Sequence, residues 1–139
     1  MTNILCINGG GVRGIIPYIL LQQIYNKDKA IFDYFDIYSG SSVGAVICCL
    51  LLVSDNKKDR KYNINNISDL LINMLLDIFK INWYSYITSV NGYLCSPYSD
   101  EKIMNSLKIL FGDYTLNDLI KPVIIPSYDI IRDEPIVFN

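Results

Sequence analysis

Ile4-Leu5-Cys6-Ile7-Asn8-Gly9-Gly10-Gly11-Val12-Arg13-Gly14 is the stretch that decides how this 139-residue chain is read, and it has a counterpart one unit later in Tyr34-Phe35-Asp36-Ile37-Tyr38-Ser39-Gly40-Ser41-Ser42-Val43-Gly44. Each is an apolar run that meets a glycine-bearing turn and then a helical pattern, so the first forty-odd residues predict strand, turn, helix, strand, turn, helix. That order predicts an α/β fold with a mainly parallel sheet flanked by helices, in which both strand-to-helix turns fall on the carboxyl edge of the sheet. The second turn fits G-x-S-x-G with Gly40, Ser42 and Gly44. This pattern places a serine hydroxyl on a tight elbow, where glycines let backbone segments crowd together without side-chain clashes. The first turn offers a row of backbone N–H groups. A nucleophile beside such donors is the layout of an acyl-transfer site.

Composition narrows the chemistry further. Apolar residues make up 51% of the chain and charged ones 19%, so a sizeable core can be buried and a disordered chain is excluded. The length suits one domain over residues 1–139. A net charge of -2 leaves no basic footprint for nucleic acid. Histidine is absent, so no Ser-His-Asp or Cys-His arrangement and no histidine-based zinc site can be built, and a serine nucleophile needs another base. The cysteines Cys6, Cys48, Cys49 and Cys95 contain no C-x-x-C, and the first three lie in apolar runs. Buried free thiols in a reducing compartment are expected. The N-terminus has no basic segment followed by an apolar core and cleavage site, so no signal peptide is expected. The longest apolar run, Val43 to Val53, falls well short of the about 20 residues a spanning helix needs.

Outward from the two turns, Ile4 to Asn8 is expected as a strand covered on both faces. Ile15 to Tyr25 is expected as a helix with Ile16, Ile19, Leu20 and Ile24 on one side and Pro17 in its first turn, where a missing N–H costs nothing. Asn26 to Lys29 is a polar connection, and Tyr34 to Ser39 the second strand. The helix from Ser42 is apolar nearly all round, the mark of a buried helix. Ser54 to Asn66 turns polar and reads as a solvated loop; its cations Lys57, Lys58, Arg60 and Lys61 could meet an anionic membrane surface, but two aspartates interrupt them. Ile67, Leu70, Leu71, Met74, Leu75 and Ile78 predict an amphipathic helix over Ile67 to Lys80, capped by Asn66. Trp83, Tyr84, Tyr86 and Tyr93 form an aromatic stretch suited to covering a core or lining an acyl-chain entrance. Ser99 caps a helix running to Phe111 and stopped by Gly112, and Thr115 to Asp118 is a short capping-box start. Pro122 to Tyr128 and Glu134 to Phe138 are expected as two further strands, with a polar turn at Ile131 to Glu134.

Gly9 to Gly14 also satisfies G-x-G-x-x-G, the dinucleotide fingerprint, which needs an acidic residue at the end of the second strand. Tyr38-Ser39-Gly40 stands there instead, and a dinucleotide unit has no use for G-x-S-x-G at that place, so acyl transfer is the better reading. Ser42 has a plain alternative as an ordinary helix N-cap. Ser41 has the wrong offset for the elbow and is assigned no role. Arg13 is open to three readings: orienting the glycine turn, meeting an anionic substrate, or lying on the surface.

Taken together, these residues resemble the N-terminal part of the patatin-like phospholipase family. The likeness runs through Ile4 to Gly14, Tyr34 to Ala45, Leu94-Cys95-Ser96-Pro97-Tyr98 and Pro122 to Phe138. It implies a three-layer domain and hydrolysis of lipid or phospholipid acyl esters by a Ser-Asp dyad, without cofactor or metal. Carried over by motif, Ser42 is the nucleophile, Gly9, Gly10, Gly11, Arg13 and Gly14 form the oxyanion loop, and Gly40 and Gly44 flank the elbow. The dyad needs no histidine, in keeping with a chain that has none. Where the family has Asp before the glycine loop, this chain has Asn8. The family's catalytic aspartate lies in a downstream Asp-Gly-Gly or Asp-Gly-Ala motif, and no Asp-Gly pair occurs in these residues. The expectation is therefore a domain truncated at its C-terminus, cytoplasmic with peripheral membrane contact, and prone to self-association or to pairing with a partner chain along an open sheet edge. The rival functions are a lipid-binding or interaction remnant without turnover and a nucleotide-binding α/β domain.

Overall fold

The computed structural model describes residues 1–79 and 100–139. In chain order come β1 (Ile4–Ile7), a 3-10 turn (Gly11–Gly14), α1 (Ile15–Lys27), a second 3-10 turn (Ile31–Tyr34), β2 (Ile37–Gly40), α2 (Val43–Leu52), α3 (Ile64–Phe79), α4 (Asp100–Phe111), a third 3-10 turn (Leu116–Asp118), β3 (Val123–Asp129) and β4 (Glu134–Phe138). The strands form one sheet in the order β1-β2-β3-β4. β1 pairs with β2 and β2 with β3 in parallel, and β3 pairs with β4 as an antiparallel hairpin. This is the mainly parallel, helix-flanked α/β sheet that the sequence pattern predicts. Among the described residues no helix is long and apolar enough to cross a membrane.

The chain gathers into two compact units, a sheet unit of Met1–Ser68 with Tyr114–Asn139 and a helical unit of Asp69–Asp113. In the sheet unit α2 packs on β2, with lesser contact to β1 and β3. Ile47, Cys48, Leu50, Leu51 and Leu52 are fully buried, as its all-round apolar sequence requires. The two buried tyrosines find partners for their hydroxyls: Tyr18 donates to the Ile64 carbonyl and Tyr38 to the Phe32 carbonyl at 3.0 Å. Lys121 Nζ donates to the carbonyls of Phe32 at 2.9 Å and Phe35 at 2.6 Å, closing the turn ahead of β2. In the helical unit Leu71, Met74, Leu75 and Leu110 are buried, and Ser106 Oγ donates to Asp77 Oδ2 at 2.9 Å.

Several local expectations change. Ile16, Ile19, Leu20 and Ile24 do share a side of α1, but that side is exposed, Ile16 by 58% and Leu20 by 55%. The buried residues of α1 are Tyr18 and Leu21, because the larger aromatic body with a hydroxyl partner at Ile64 takes the inner position. α1 also runs on to Lys27. In β1 the two-residue alternation turns Ile4 and Cys6 outward and buries Ile7, so the strand is not covered on both faces and Cys6 is not a buried thiol. β2 begins at Ile37 because the segment before it is tied to Asn3, whose amide donates to Asp36 Oδ2 at 2.8 Å and whose carbonyl accepts from Asp36 N–H at 2.9 Å. α3 begins at Ile64 rather than Ile67, since Asn63 Oδ1 takes the Asn65 amide at 2.9 Å and Ile64 extends the buried stripe one turn earlier. Asn66 therefore lies inside the helix and is not its cap. α4 ends at Phe111 with Gly112 at φ 57°, and the Thr115–Asp118 capping box forms, both as predicted. The Thr115 amide and hydroxyl hold the Asp118 carboxyl below its ordinary range. Trp83, Tyr84, Tyr86, Tyr93, the Leu94–Tyr98 segment with Cys95, and Ser99 lie outside the described residues.

Candidate active site

The β1–β2 register pairs Ile7 with Gly40, so the two strands end level and their turns leave the same edge of the sheet side by side. The glycines of the second turn are demanded by how closely α2 approaches β1. A Cβ on Gly44 would stand 2.0 Å from the Ile7 carbonyl oxygen, and one on Gly40 2.5 Å from the Gly44 carbonyl carbon. Any larger residue would push the start of α2 away from the sheet.

Ser42 occupies the N-cap position of α2 but does not behave as an N-cap. Its φ of 51° and ψ of -127° lie outside the usual cap conformation, and its side chain makes no capping hydrogen bond. The residue is exposed. A non-glycine residue held in this region costs about 1–3 kcal/mol, which the surroundings must offset. They do so through the backbone: Gly44 N–H donates to the Ser41 carbonyl and Ala45 N–H to the Ser42 carbonyl, both at 2.9 Å.

Ser41, given no role by its sequence offset, links the two turns. Its Oγ accepts the Gly9 N–H at 3.0 Å and its own N–H donates to the Ile7 carbonyl at 3.4 Å. The Gly9 amide is thereby engaged. Among the described residues the amides of Gly10 and Gly11 donate to no acceptor, and Gly11 takes φ 56°. Gly14 is buried against Val43, where it fixes the spacing between the turns. Arg13 is exposed at the end of the 3-10 turn; its N–H donates to the Gly10 carbonyl at 3.2 Å and it forms no ion pair among the described residues. The geometry thus brings Gly9 to Gly14, Gly40, Ser41, Ser42 and Gly44 to one edge.

No carboxylate of the sheet unit hydrogen-bonds to Ser42. Asp36 is committed to Asn3 at the start of β2, Asp129 accepts the amides of Ile131 at 2.9 Å and Arg132 at 3.1 Å in the hairpin turn, and Asp133 accepts the Tyr128 hydroxyl at 2.6 Å. The nearby thiols are not alternatives either. Burial pushes Cys48 up to about 12 and Cys49 up to about 11, so both stay protonated at neutral pH.

A model of the family described as Patatin-like phospholipase matches residues 5–138. The chain belongs to that family. Patatin-like protein 2 of Oryza sativa subsp. indica is 31% identical over 149 residues, covering all of this chain and 37% of that protein. Patatin-like protein 2 of Arabidopsis thaliana is 26% identical with the same coverage. Patatin group M-3 of Solanum tuberosum is 27% identical over 150 residues and is covered to 36%. The chain thus spans little more than a third of the length of these curated relatives.

Proposed function

We propose that the whole protein hydrolyses lipid acyl esters, phospholipids among them, with Ser42 as nucleophile. One observation carries the reading: Ser42 stands at a helix N-cap position in a strained conformation, exposed, with its hydroxyl excused from capping. A serine that only stabilised α2 would adopt an extended backbone and bond to the first-turn amides. Strain of this kind is retained where a side chain must be presented.

In the proposed reaction Ser42 Oγ forms a bond to the ester carbonyl carbon while its proton passes to an aspartate base. The carbonyl π electrons move onto oxygen, and the Gly10 and Gly11 amides receive that oxyanion. Gly9, through Ser41, and Gly14, through Val43, hold the loop in place, and Arg13 meets the anionic part of the substrate. Collapse of the tetrahedral intermediate breaks the C–O bond to the alcohol, which leaves with the proton. Water then repeats the sequence on the acyl-serine and releases the fatty acid. Substrate access implies peripheral contact with a lipid surface. The second reading, a lipid-binding portion without turnover, is favoured by the engagement of Asp36, Asp129 and Asp133 elsewhere.

Labelling with a fluorophosphonate probe followed by peptide mapping tests the assignment. The adduct is expected on Ser42, lost in Ser42→Ala and kept in Ser41→Ala; an adduct on Ser41 that survives Ser42→Ala would overturn it. Labelling of Ser42 without hydrolysis of a short-chain ester by the whole protein would favour the binding reading.

A further inference from the structure

The sheet unit holds a second concavity, remote from Ser42. Phe32 and Asp33 precede β2, Lys121 precedes β3, and Leu51 lies near the far end of α2; all of them line one cavity of about 520 Å³. Ser42 starts α2 and the cavity meets its other end, about 15 Å away at 1.5 Å per residue. The volume falls in the range of small-molecule sites, roughly 300–1,000 Å³.

The cations lining it are not equivalent. Lys121 is spent on backbone carbonyls. Lys61 lies over the Tyr114 ring, 4.1 Å from its centroid. Arg60 is mostly withdrawn from solvent, its side chain 27% exposed, with the guanidinium 5.1 Å from the centroid of Phe32. Its Nη2 forms an ion pair with Asp33 at 3.9 Å, beyond hydrogen-bond reach, and that carboxylate is itself 72% exposed. Arg60 Nε is buried and has no acceptor among the described residues. The loop bearing Arg60 is built, with Asn56 Oδ1 taking the amides of Lys58 at 2.9 Å and Asp59 at 3.0 Å, and Lys61 N–H donating to the Val53 carbonyl at 2.8 Å. The guanidinium also donates to the Tyr38 hydroxyl, so Nε is the donor left over; a planar, stacked and largely desolvated fork with a donor to spare suits an oxyanion taken in a two-point grip. Lys58, Arg60, Lys61 and Lys121 line the cavity against the carboxylates Asp33 and Asp59, four cations to two anions, and this surplus favours a doubly charged oxyanion over a single carboxylate.

We infer that this cavity binds a phosphate group, with Arg60 as its anchoring fork and Lys58 and Lys61 as supporting charges. The phosphate is either that of a soluble phosphorylated small molecule or that of a lipid head group. The inference is independent of the role of Ser42.

The test uses the full chain. Calorimetric titration with inorganic phosphate and with glycerol phosphate, against chloride at equal ionic strength, reads soluble ligands. Co-sedimentation with phosphatidylcholine vesicles, with and without phosphatidic acid, reads the head group. Binding in either arm is expected, weakened about tenfold or more in Arg60→Gln, less in Arg60→Lys, and unchanged in Lys102→Gln on the helical unit. Response to soluble phosphate alone identifies a free ligand, and response to phosphatidic acid vesicles alone identifies a head group. Absence of binding in both arms, or binding that Arg60→Gln leaves intact, overturns the inference. If Arg60→Gln loses the native circular dichroism spectrum, the Lys58→Gln, Lys61→Gln double variant replaces it, and unaltered phosphate binding by that variant has the same refuting force.

Discussion

Replacing Gly44 by alanine sets two effects against each other. Helix propensity favours alanine by up to about 1 kcal/mol, and less in a first turn such as this one. Against it stands the Ile7 carbonyl oxygen 2.0 Å from the new Cβ, with the Ile7 carbonyl carbon at 2.8 Å. Both are backbone atoms of β1 and cannot swing aside as a side chain would. Ordinary contact begins near 3.4 Å, so the start of α2 must withdraw from the strand by more than an ångström. Overpacking of this kind costs about 1–3 kcal/mol. The withdrawal also stretches the Ser41 N–H to Ile7 bond, already 3.4 Å long, and the Gly9 to Ser41 bond at 3.0 Å, each contributing about 0.5–1.5 kcal/mol. The clash wins, and the net loss is about 2–4 kcal/mol. For a chain of this size that lowers the melting temperature by on the order of 10 °C. Thermal unfolding of wild type and Gly44→Ala, followed by circular dichroism at one protein concentration, reads the difference. A variant that melts level with or above wild type would refute the reasoning, since propensity would then outweigh a backbone clash that had not occurred.

Ser41→Ala should cost about 1 kcal/mol in urea unfolding and slow fluorophosphonate labelling of Ser42 several-fold without moving the site, because the Gly9 tie is lost while the elbow remains; unchanged labelling would show that the tie does not position the loop. Iodoacetamide at pH 8 should alkylate exposed Cys6 in the native protein and spare Cys48 and Cys49. The same burial raises the folded-state pKa of both thiols above the ordinary 9.0, so their contribution to stability is complete below pH 9 and is lost as pH rises toward 11 to 12, by up to about 1.4 kcal/mol per pH unit for each thiol. Urea midpoints that stay level from pH 8 to 10.5 would contradict this.

What could be read from the sequence was what glycine and apolar runs encode directly. Gly44 announced the close passage of α2 over β1 and Gly40 that of α2 over the end of β2, because only glycine tolerates backbone atoms at those distances, and the all-round apolar pattern of α2 announced its burial. Gly112 and the Thr115–Asp118 box marked local turns whose bonds close within a few residues. What escaped were choices made by distant partners. α1 carries two apolar faces, and the bond from Tyr18 to Ile64, remote in sequence, selects between them. Ser41 looked idle because its partner, Gly9, lies on the preceding strand-to-helix turn. Asn66 read as the cap of α3, but Asn63 takes the Asn65 amide and burial of Ile64 starts the helix one turn earlier. Arg60 read as one charge in a solvated loop; only the fold brings Phe32 beneath it.

In the proposed reaction the residues gathered around Ser42 would meet the substrate's developing negative charge, a task that does not replace a base. Ser42 sits at the positive end of α2, where the helix dipole stabilises an alkoxide by about 0.3–1 kcal/mol, and at most about 2. That is a factor of about 30 at best. A positioned base contributes about 10² to 10⁴, and removing the nucleophile–base unit of a serine protease costs on the order of 10⁶ in kcat. With histidine absent and no carboxylate of the sheet unit bonded to Ser42, the dipole and the glycine amides of the proposed reaction would polarise an ester without deprotonating the serine. These 139 residues tested by themselves are therefore expected to hydrolyse p-nitrophenyl butyrate at a rate close to that of the Ser42→Ala variant, and to gain Ser42-dependent turnover when an Asp-Gly-bearing segment is joined in the same chain. Rapid hydrolysis by the 139 residues alone, abolished by Ser42→Ala, would mean that a base is already in place, and the search would turn to Asp36, Asp129 and Asp133, whose hydrogen bonds in this fold would then have to open during catalysis.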